Sequence, residues 1–216
     1  MEIWHPGRGP AGLRRHLDAG GVLAIPTESS YGLAADPGNP AGVEAVFHIK
    51  RRPADKALLV VAASLDQIDA LGVRLQDPLR QTLDDLWPAP LTVVLPLVRP
   101  LAAAVGQPTL AIRIPRHRAL RDLCAELGPL TATSANRSGE APIRDPRRLA
   151  ELLAGHAGWI IDGGVLPGGA PSTLLDAMAS PPRVLRAGNL ELPAELGEEW
   201  SNGDGSTYMV GSGVKR

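Results

Sequence analysis

Two cations separated by one residue stand out in the segment KRRPADK, residues 50–56. Pro53 disfavours a helical conformation for Arg52, and in an extended backbone the side chains of Lys50 and Arg52 point to the same side. Two cations directed together suit the polyphosphate of a nucleotide. Cations also favour the C-terminal end of a helix, so the segment alone leaves phosphate binding and simple solvation open.

Small polar residues fill the segment TATSANRSG, residues 131–139, where Ser134 and Asn136 are again two positions apart. Hydroxyl and amide groups can donate hydrogen bonds to phosphate or carboxylate oxygens without adding bulk. Ser, Asn and Gly are equally typical of turns, and for this segment alone ordinary turn chemistry is the favoured explanation.

An arginine lies in the middle of an apolar strand pattern, TLAIRIP, residues 109–115. Burying Arg113 without a partner would be costly, so it either pairs with an internal acid or binds an anionic ligand. Its planar guanidinium matches a carboxylate, and we favour the ligand. Later in the chain, a Gly-rich approach leads to Ser172 in PSTLLD, and Arg186 in LRAGN adds a cation. A surface loop is the alternative for both.

The elements that must position these residues alternate along the chain. The predicted helices cover 10–20, 39–50 and 117–127, with others beginning at Ser64, at Asp77-Pro78 and at Asp145-Pro146. The predicted strands cover 22–26, 57–62, 91–96, 109–115 and 129–136, followed by short strands in WIID, STLLDA and RVLRAG. Some neighbouring strands lack a helix between them, which predicts an α/β fold with a mixed sheet.

Composition restricts the class of protein. The chain has 216 residues, of which 44% are hydrophobic, enough for one packed core. A net charge of −1 and only 3% aromatic residues argue against a protein that mainly binds nucleic acid. One cysteine, Cys124, excludes an internal disulfide and a multi-cysteine metal site, and its apolar helical surroundings predict a buried thiol. A Walker-type loop and an H-E-x-x-H motif are both absent from the sequence.

No run of about 20 apolar residues and no N-terminal signal pattern occurs, which predicts a soluble cytosolic protein. Residues 1–196 are predicted to form one catalytic domain, and the Gly/Ser-rich residues 197–216 a flexible C-terminal tail.

Six stretches in this order resemble the YrdC/Sua5 family, the L-threonylcarbamoyladenylate synthases, in their single-domain YrdC type. They are GGVLAIPTESSYGLAAD, IKRRPADKALLVVAAS, LWPAPLTVVL, LAIRIPRH, PLTATSANRSG and PSTLLD…RVLRAG, which together span residues 20–188. The resemblance implies a twisted mixed sheet with flanking helices around a positively charged cavity. It extends to one module of the HypF carbamoyl-transfer proteins.

The family condenses L-threonine, bicarbonate and ATP into threonylcarbamoyl-AMP and pyrophosphate. Partner proteins then transfer the threonylcarbamoyl group to adenosine 37 of tRNAs, and tRNA or double-stranded RNA is a further candidate partner. Mg²⁺ is expected to accompany ATP, and no residues are assigned to a resident metal. The resemblance assigns Lys50 and Arg52 to catalysis; Lys50, Arg52, Lys56, Asn136 and Arg186 to ATP; and Thr27, Ser29, Arg113, Ser134 and Ser172 to threonine.

The chain departs from the family pattern at several positions. Ser29 stands where Thr is usual, Arg51 where Gly is common, and Val61 where a His often contacts threonine. WPAP replaces the usual Trp-Pro-Gly-Pro. Two alternatives therefore stay open: a non-catalytic RNA-binding factor in tRNA or ribosome maturation, and the same fold making a different carbamoyl or acyl adenylate.

The stretch IPTESSYGL, residues 25–33, is predicted to form one wall of the threonine pocket. Thr27 and Ser29 are two positions apart and are expected to face the pocket together, with Glu28 pointing away. Tyr31 and Gly32 are expected to shape the turn rather than to contact substrate.

Overall fold

The structure, a computed structural model, describes residues 2–4, 9–53, 55–180, 182–190 and 192. Its strands are β1 (Glu2–Trp4), β2 (Val22–Pro26), β3 (Tyr31–Ala34), β4 (Val60–Val61), β5 (Leu91–Pro96), β6 (Thr109–Arg113), β7 (Leu130–Thr131), β8 (Thr133–Ser134), β9 (Gly158–Ile161), β10 (Thr173–Asp176) and β11 (Arg183–Arg186). Its α-helices are α1 (Gly9–Asp18), α2 (Pro40–Lys50), α3 (Leu65–Ala70), α4 (Leu79–Leu86), α5 (Arg118–Leu127) and α6 (Leu149–Leu152). Short 3₁₀ turns cover Ala102–Ala104 and Pro146–Arg148. The predicted tail, 197–216, and the domain boundary at 196 lie outside the described residues.

Two mixed sheets form the scaffold. One has the strand order β1-β9-β2-β3-β8 and the other β11-β10-β5-β6-β4-β7. In the first, β2 pairs antiparallel with β3 and parallel with β9; in the second, β6 pairs antiparallel with β5 and parallel with β4. The predicted α/β fold with mixed pairing is therefore confirmed, although the strands divide between two sheets.

Local sequence signals account for several element boundaries. The Asn39 side chain accepts hydrogen bonds from the backbone at Ala41 and Gly42, and Pro40 opens α2 as predicted. Ser64 Oγ accepts from Gln67 N at the start of α3, and Gly128 follows the last residue of α5. Capping groups are readable from the sequence because they act within one turn of chain.

Strand lengths were less predictable. The strand predicted over 57–62 is only Val60–Val61, and the strand predicted over 109–115 ends at Arg113. Before β4, the backbone of Leu58 donates to Ala103 O in a loop instead of a strand partner. Strand β3, which begins at Tyr31, was not predicted because its four residues merge with the expected turn.

The core divides into two apolar clusters. The larger one packs α2, α3 and α4 against the sheets around Phe47, Leu83 and Leu95. The smaller one packs α1 and α5 around Leu17 and Cys124. Burial raises the pKa of the Cys124 thiol to about 12, so the predicted buried cysteine is confirmed.

Within the part of the chain that the structure describes, no helix has the length and apolar character needed to cross a bilayer.

Candidate functional site

A cavity of about 680 Å³ opens between the two sheets. One wall is the loop that joins β2 to β3, residues 27–30, together with Ser134 of β8. The opposite wall is β6, through Ala111 and Arg113, and the segment that leads into β10. The cavity therefore lies where loops and strand ends of both sheets converge, the usual position of a binding site in layered α/β folds.

Charge on the lining is mainly positive. The described lining residues include three guanidinium groups, on Arg52, Arg113 and Arg186, and one carboxylate, on Glu28. Small hydroxyl side chains, among them Ser29, surround these charges. A roomy cavity with convergent cations and hydroxyls suits an anionic, oxygen-rich ligand.

Glu28 does not point away from the cavity as predicted. Its Oε2 lies 3.1 Å from Nη2 of Arg113, and the backbone N–H of His117 lies 3.4 Å from its Oε1. The predicted direction was wrong because residues 27–30 form a loop in which strand alternation does not apply. The sequence analysis left two possibilities for Arg113, an internal acid or an anionic ligand. Arg113 pairs with an internal acid, Glu28, and also lines the cavity in which a ligand would bind.

Lys50 lies directly behind the lining. The side chain is buried, and its ammonium group donates to Ser134 O, to Asn136 Oδ1 at 2.7 Å and to Asn136 O at 3.2 Å. Burial, with a smaller contribution from the Arg52 charge, lowers the pKa of Lys50 to about 8. The three ammonium hydrogens brace the loop that carries Ser134 and Asn136.

The Ser134–Asn136 pair forms a hydrogen-bonded unit around this lysine. Ser134 Oγ donates to Asn136 Oδ1 at 2.6 Å, and Asn136 Nδ2 donates to Glu140 O at 2.7 Å. Asn136 is buried, whereas Ser134 lines the cavity. These contacts bring together Lys50, Ser134 and Asn136, which the family resemblance places in one site.

Arg52 reaches the cavity from the segment after α2. Its Nη2 donates to Ala57 O at 3.0 Å, and its buried Nε has no hydrogen-bond partner among the described residues. Burial lowers the pKa of this guanidinium from its usual value. An incompletely satisfied buried cation at a cavity wall is costly without a ligand, which favours an anion here.

Ser172 and Arg186 close the far side of the cavity. Arg186 Nη2 donates to Ser172 O at 3.0 Å, and Ser172 Oγ lies 2.8 Å from Thr92 Oγ1. The bond from Arg186 fixes the Gly-rich approach to β10, so the loop predicted from GGVLPGG is anchored at its end.

A family model described as "Telomere recombination", Sua5_yciO_yrdC, matches residues 15–188. Threonylcarbamoyl-AMP synthase of Thiobacillus denitrificans is 35% identical over 179 residues, which cover 82% of this chain and 94% of that protein. The enzyme of the same name from Pyrococcus abyssi is 37% identical over 176 residues, covering 80% of this chain and 52% of that protein. The chain belongs to the Sua5/YciO/YrdC family.

Solved structures of the Sua5/YciO/YrdC family share the fold. P. abyssi Sua5 complexed with L-threonine has a TM-score of 0.77 and 32% identity, covering 88% of this chain and 57% of that one. E. coli YciO has a TM-score of 0.73 at 22% identity, covering 88% and 94% of the two chains, which supports the fold alone. This chain therefore spans about half the length of the P. abyssi protein and nearly all of the T. denitrificans one.

Most residues that the Sua5/YciO/YrdC pattern assigns come together in the structure. The cavity lining includes Thr27, Ser29, Arg52, Arg113, Ser134, Ser172 and Arg186, while Lys50 and Asn136 lie behind it. Lys56 is exposed and does not line the cavity. Thr27 Oγ1 donates to Ser30 O at 2.7 Å, so this hydroxyl also shapes its own loop.

Glu28, Tyr31 and Gly32 line the cavity, although none of them was expected to contact substrate. Glu28 is the only acid in IPTESSYGL, and an arginine in an apolar strand pattern that needs an acidic partner was the signal available for it. Tyr31 lines the cavity from β3, and its hydroxyl accepts from Gly163 N and donates to Gly164 O. These two bonds span more than 130 positions, so no local pattern could indicate them.

The positions at which this chain departs from the family pattern lie in different structural environments. Val61 is fully buried in the smaller core cluster, beside Arg113 in the strand register, and does not line the cavity. Arg51 ends α2 in a left-handed conformation, with φ of 51°, and lines a separate, largely apolar groove along that helix. The Trp87-Pro88 bond is cis, and the buried indole donates to Leu91 O at 2.9 Å, as a core position predicts.

Metal-binding side chains are sparse. Among the described residues, no group of three or more His, Cys, Asp or Glu side chains could hold a metal ion. The single lining carboxylate, Glu28, is already paired with Arg113.

Proposed function

We propose that this protein is an L-threonylcarbamoyladenylate synthase, which condenses L-threonine, bicarbonate and ATP into threonylcarbamoyl-AMP and pyrophosphate. The observation that carries the proposal is one cavity whose lining holds three arginines, of which one is paired with a carboxylate. Arg113, paired with a carboxylate, suits an amino-acid carboxylate, and Arg52 with Arg186 suits a polyphosphate. The curated relatives named threonylcarbamoyl-AMP synthase support the assignment.

Threonine binds with its carboxylate on Arg113. Thr27, Ser29, Ser134 and Ser172 line the same cavity, and their hydroxyl oxygens can accept hydrogen bonds from the amine. The hydroxyl hydrogens of Thr27 and Ser134 are donated within the protein, which leaves Ser29 and Ser172 as the donors to the carboxylate. L-threonine in a complex of P. abyssi Sua5 supports this amino acid as the substrate. Ser29 retains a hydroxyl where the family usually has Thr.

The first chemical step joins the amine of threonine to bicarbonate. The neutral amine attacks the carbon of bicarbonate, a C–N bond forms and water leaves, which yields the threonine carbamate. The cavity contributes by holding both reactants in one place, and the positive lining favours an anionic bicarbonate. No side chain is needed as base when the amine arrives unprotonated.

The second step transfers the adenylyl group. A carbamate oxygen attacks the α-phosphorus of ATP, the bond to the bridging oxygen breaks, and pyrophosphate leaves with its electron pair. Arg52 and Arg186 bind the phosphates and offset the charge that builds on the leaving group. Lys50 adds its charge from behind Ser134, and Asn136 fixes that loop against the nucleotide; Lys56 would assist from the neighbouring exposed segment.

The product is a mixed anhydride, so a second protein must accept the threonylcarbamoyl group before water does. We propose tRNA-modifying transfer proteins as that acceptor, with adenosine 37 of tRNA as the final site. Mg²⁺ enters as MgATP and neutralises phosphate charge.

The test is pyrophosphate release from ATP by the purified protein. We expect release that requires both threonine and bicarbonate. Pyrophosphate release that does not depend on threonine would overturn the proposal. Stimulation of pyrophosphate release by a different amino acid would indicate that the protein makes another adenylate. Tight RNA binding without ATP turnover would favour the RNA-binding alternative, against which the low net charge argues.

A further inference from the structure

An ion pair joins the two sheets across the cavity. Glu28 belongs to the loop between β2 and β3 of the five-stranded sheet, and Arg113 is the last residue of β6 in the six-stranded sheet. Their side chains are 27% and 11% exposed, and the charged atoms are 3.1 Å apart. None of the chemical steps above uses the Glu28 carboxylate.

Glu28 is held at two points. Besides Arg113, its other oxygen accepts from the backbone N–H of His117, the residue that caps α5. The N-terminal end of a ten-residue helix favours a carboxylate. Both carboxylate oxygens of Glu28 are therefore fixed in the cavity wall.

Arg113 keeps part of its donor capacity free. Glu28 takes one hydrogen of Nη2, while Nε is buried without a partner and Nη1 makes no hydrogen bond to another described residue. Nη1 and the second hydrogen of Nη2 can therefore donate to one further carboxylate. Since the pair is close to neutral as a unit, it attracts a polyphosphate far less than a free cation does.

The other two arginines of the cavity differ in this respect. Arg52 donates to the carbonyl of Ala57, and Arg186 donates to the carbonyl of Ser172. A carbonyl does not neutralise a guanidinium, and Asp55 offsets the charge on Arg52 only at a distance. Among the described residues, the lining thus contains one arginine in an ion pair and two without one.

We infer that Glu28 makes Arg113 selective for a monocarboxylate, so that threonine and ATP bind at different arginines of one cavity. The carboxylate orients the guanidinium towards the threonine carboxylate and repels the phosphates of ATP, which bind at Arg52 and Arg186. This inference rests on the proposed function and names the residue that separates its two anion sites.

The experiment compares the wild-type protein with Glu28→Gln, which removes the charge, and Glu28→Asp, which keeps it with a shorter reach. Methylenediphosphonate, a stable mimic of pyrophosphate, serves as inhibitor, and the adenylate product is quantified by chromatography. Glu151→Gln, an exposed carboxylate on α6, is the matched control. Thermal unfolding verifies that each variant is folded.

In the wild type we expect the diphosphonate to compete with ATP and not with threonine. Glu28→Gln should raise the threonine KM at least tenfold, with a smaller change in kcat, and should make the diphosphonate competitive with threonine. Glu28→Asp should raise the threonine KM while preserving the wild-type inhibition pattern. Glu151→Gln should match the wild type.

Two results would overturn the inference. One is a Glu28→Gln protein whose threonine KM and inhibition pattern stay within twofold of the wild type. The other is a raised KM with an unchanged inhibition pattern, which would reduce Glu28 to a structural support. A wild-type protein without threonine-dependent turnover would instead refute the proposed function, so the two failures are distinguishable.

Discussion

If the proposed function is correct, we expect the buried ammonium group of Lys50 to make ATP binding dependent on pH. Burial lowers the pKa of Lys50 to about 8, well within the range in which the protein can be studied. A lysine with that pKa is about nine-tenths charged at pH 7 and about 3% charged at pH 9.5. If only the charged form favours the phosphates, the ATP Kd rises up to about 30-fold over this interval.

The Coulomb energy between Lys50 and a phosphate sets a second upper bound on the change in the ATP Kd. A unit charge about 6 Å from a phosphate oxygen contributes about 3 kcal/mol at an effective dielectric constant of 20, equivalent to about 100-fold in Kd. Bound ATP also raises the lysine pKa, because negative charge favours the ammonium form. We therefore expect a rise of about tenfold between pH 7 and 9.5, with the midpoint displaced above 8.

The assay is calorimetric titration with ATP in the absence of threonine, so that the amine of the substrate does not contribute a pH dependence of its own. Lys50→Met should bind ATP weakly with a flat profile. Lys56→Met, at an exposed position of the same segment, should keep the wild-type profile because Lys50 still titrates. A wild-type Kd that is flat from pH 7 to 9.5 would refute the assigned role of Lys50.

The free energy of unfolding also depends on the titration of Lys50. The pKa of Lys50 is depressed in the folded protein, so the unfolded chain holds this proton more tightly between pH 8 and the ordinary lysine value. The free energy of unfolding of the wild type should therefore rise relative to Lys50→Met as the pH increases through that window, by at most about 1.4 kcal/mol per pH unit.

Two further predictions concern single side chains. Ser29→Ala removes a lining hydroxyl and should raise the threonine KM about three- to tenfold, consistent with one hydrogen bond, while the ATP KM changes less than twofold; equal effects on both substrates in initial-rate kinetics would contradict the threonine assignment. The Cys124 thiol, with its pKa raised to about 12, should stay unreactive towards a thiol-specific dye at pH 8 until denaturant unfolds the protein, and rapid labelling of the native protein would contradict its burial.

The sequence was informative wherever the signal is local. Asn39 and Pro40 indicate the start of α2 because capping acts within a single turn. LTVVLP forms β5 over the predicted residues. The family resemblance grouped Lys50, Ser134 and Asn136 in one site, and the structure brings these three side chains into contact. The mixed pairing of strands followed from neighbouring strands without an intervening helix.

The features that could not be predicted from the sequence depend on contacts between segments that are distant in the chain. The division into two sheets places Glu28 opposite Arg113, 85 positions apart, and reversed the predicted direction of the glutamate. Lys50 carries the charge expected of a group that binds phosphate but lies behind the lining, because its three hydrogens find acceptors on Ser134 of β8 and on Asn136 just after it. Neither fact has a signature at short range.

The most direct test of the central claim is the composition of the adenylate. The protein is incubated with ATP, ¹⁵N-threonine and ¹³C-bicarbonate, and the products are separated and weighed by mass spectrometry. The account predicts an AMP adduct that carries both isotopes, formed in equal amount with pyrophosphate. An adduct that lacks either label, or AMP and pyrophosphate without an adduct, would contradict it.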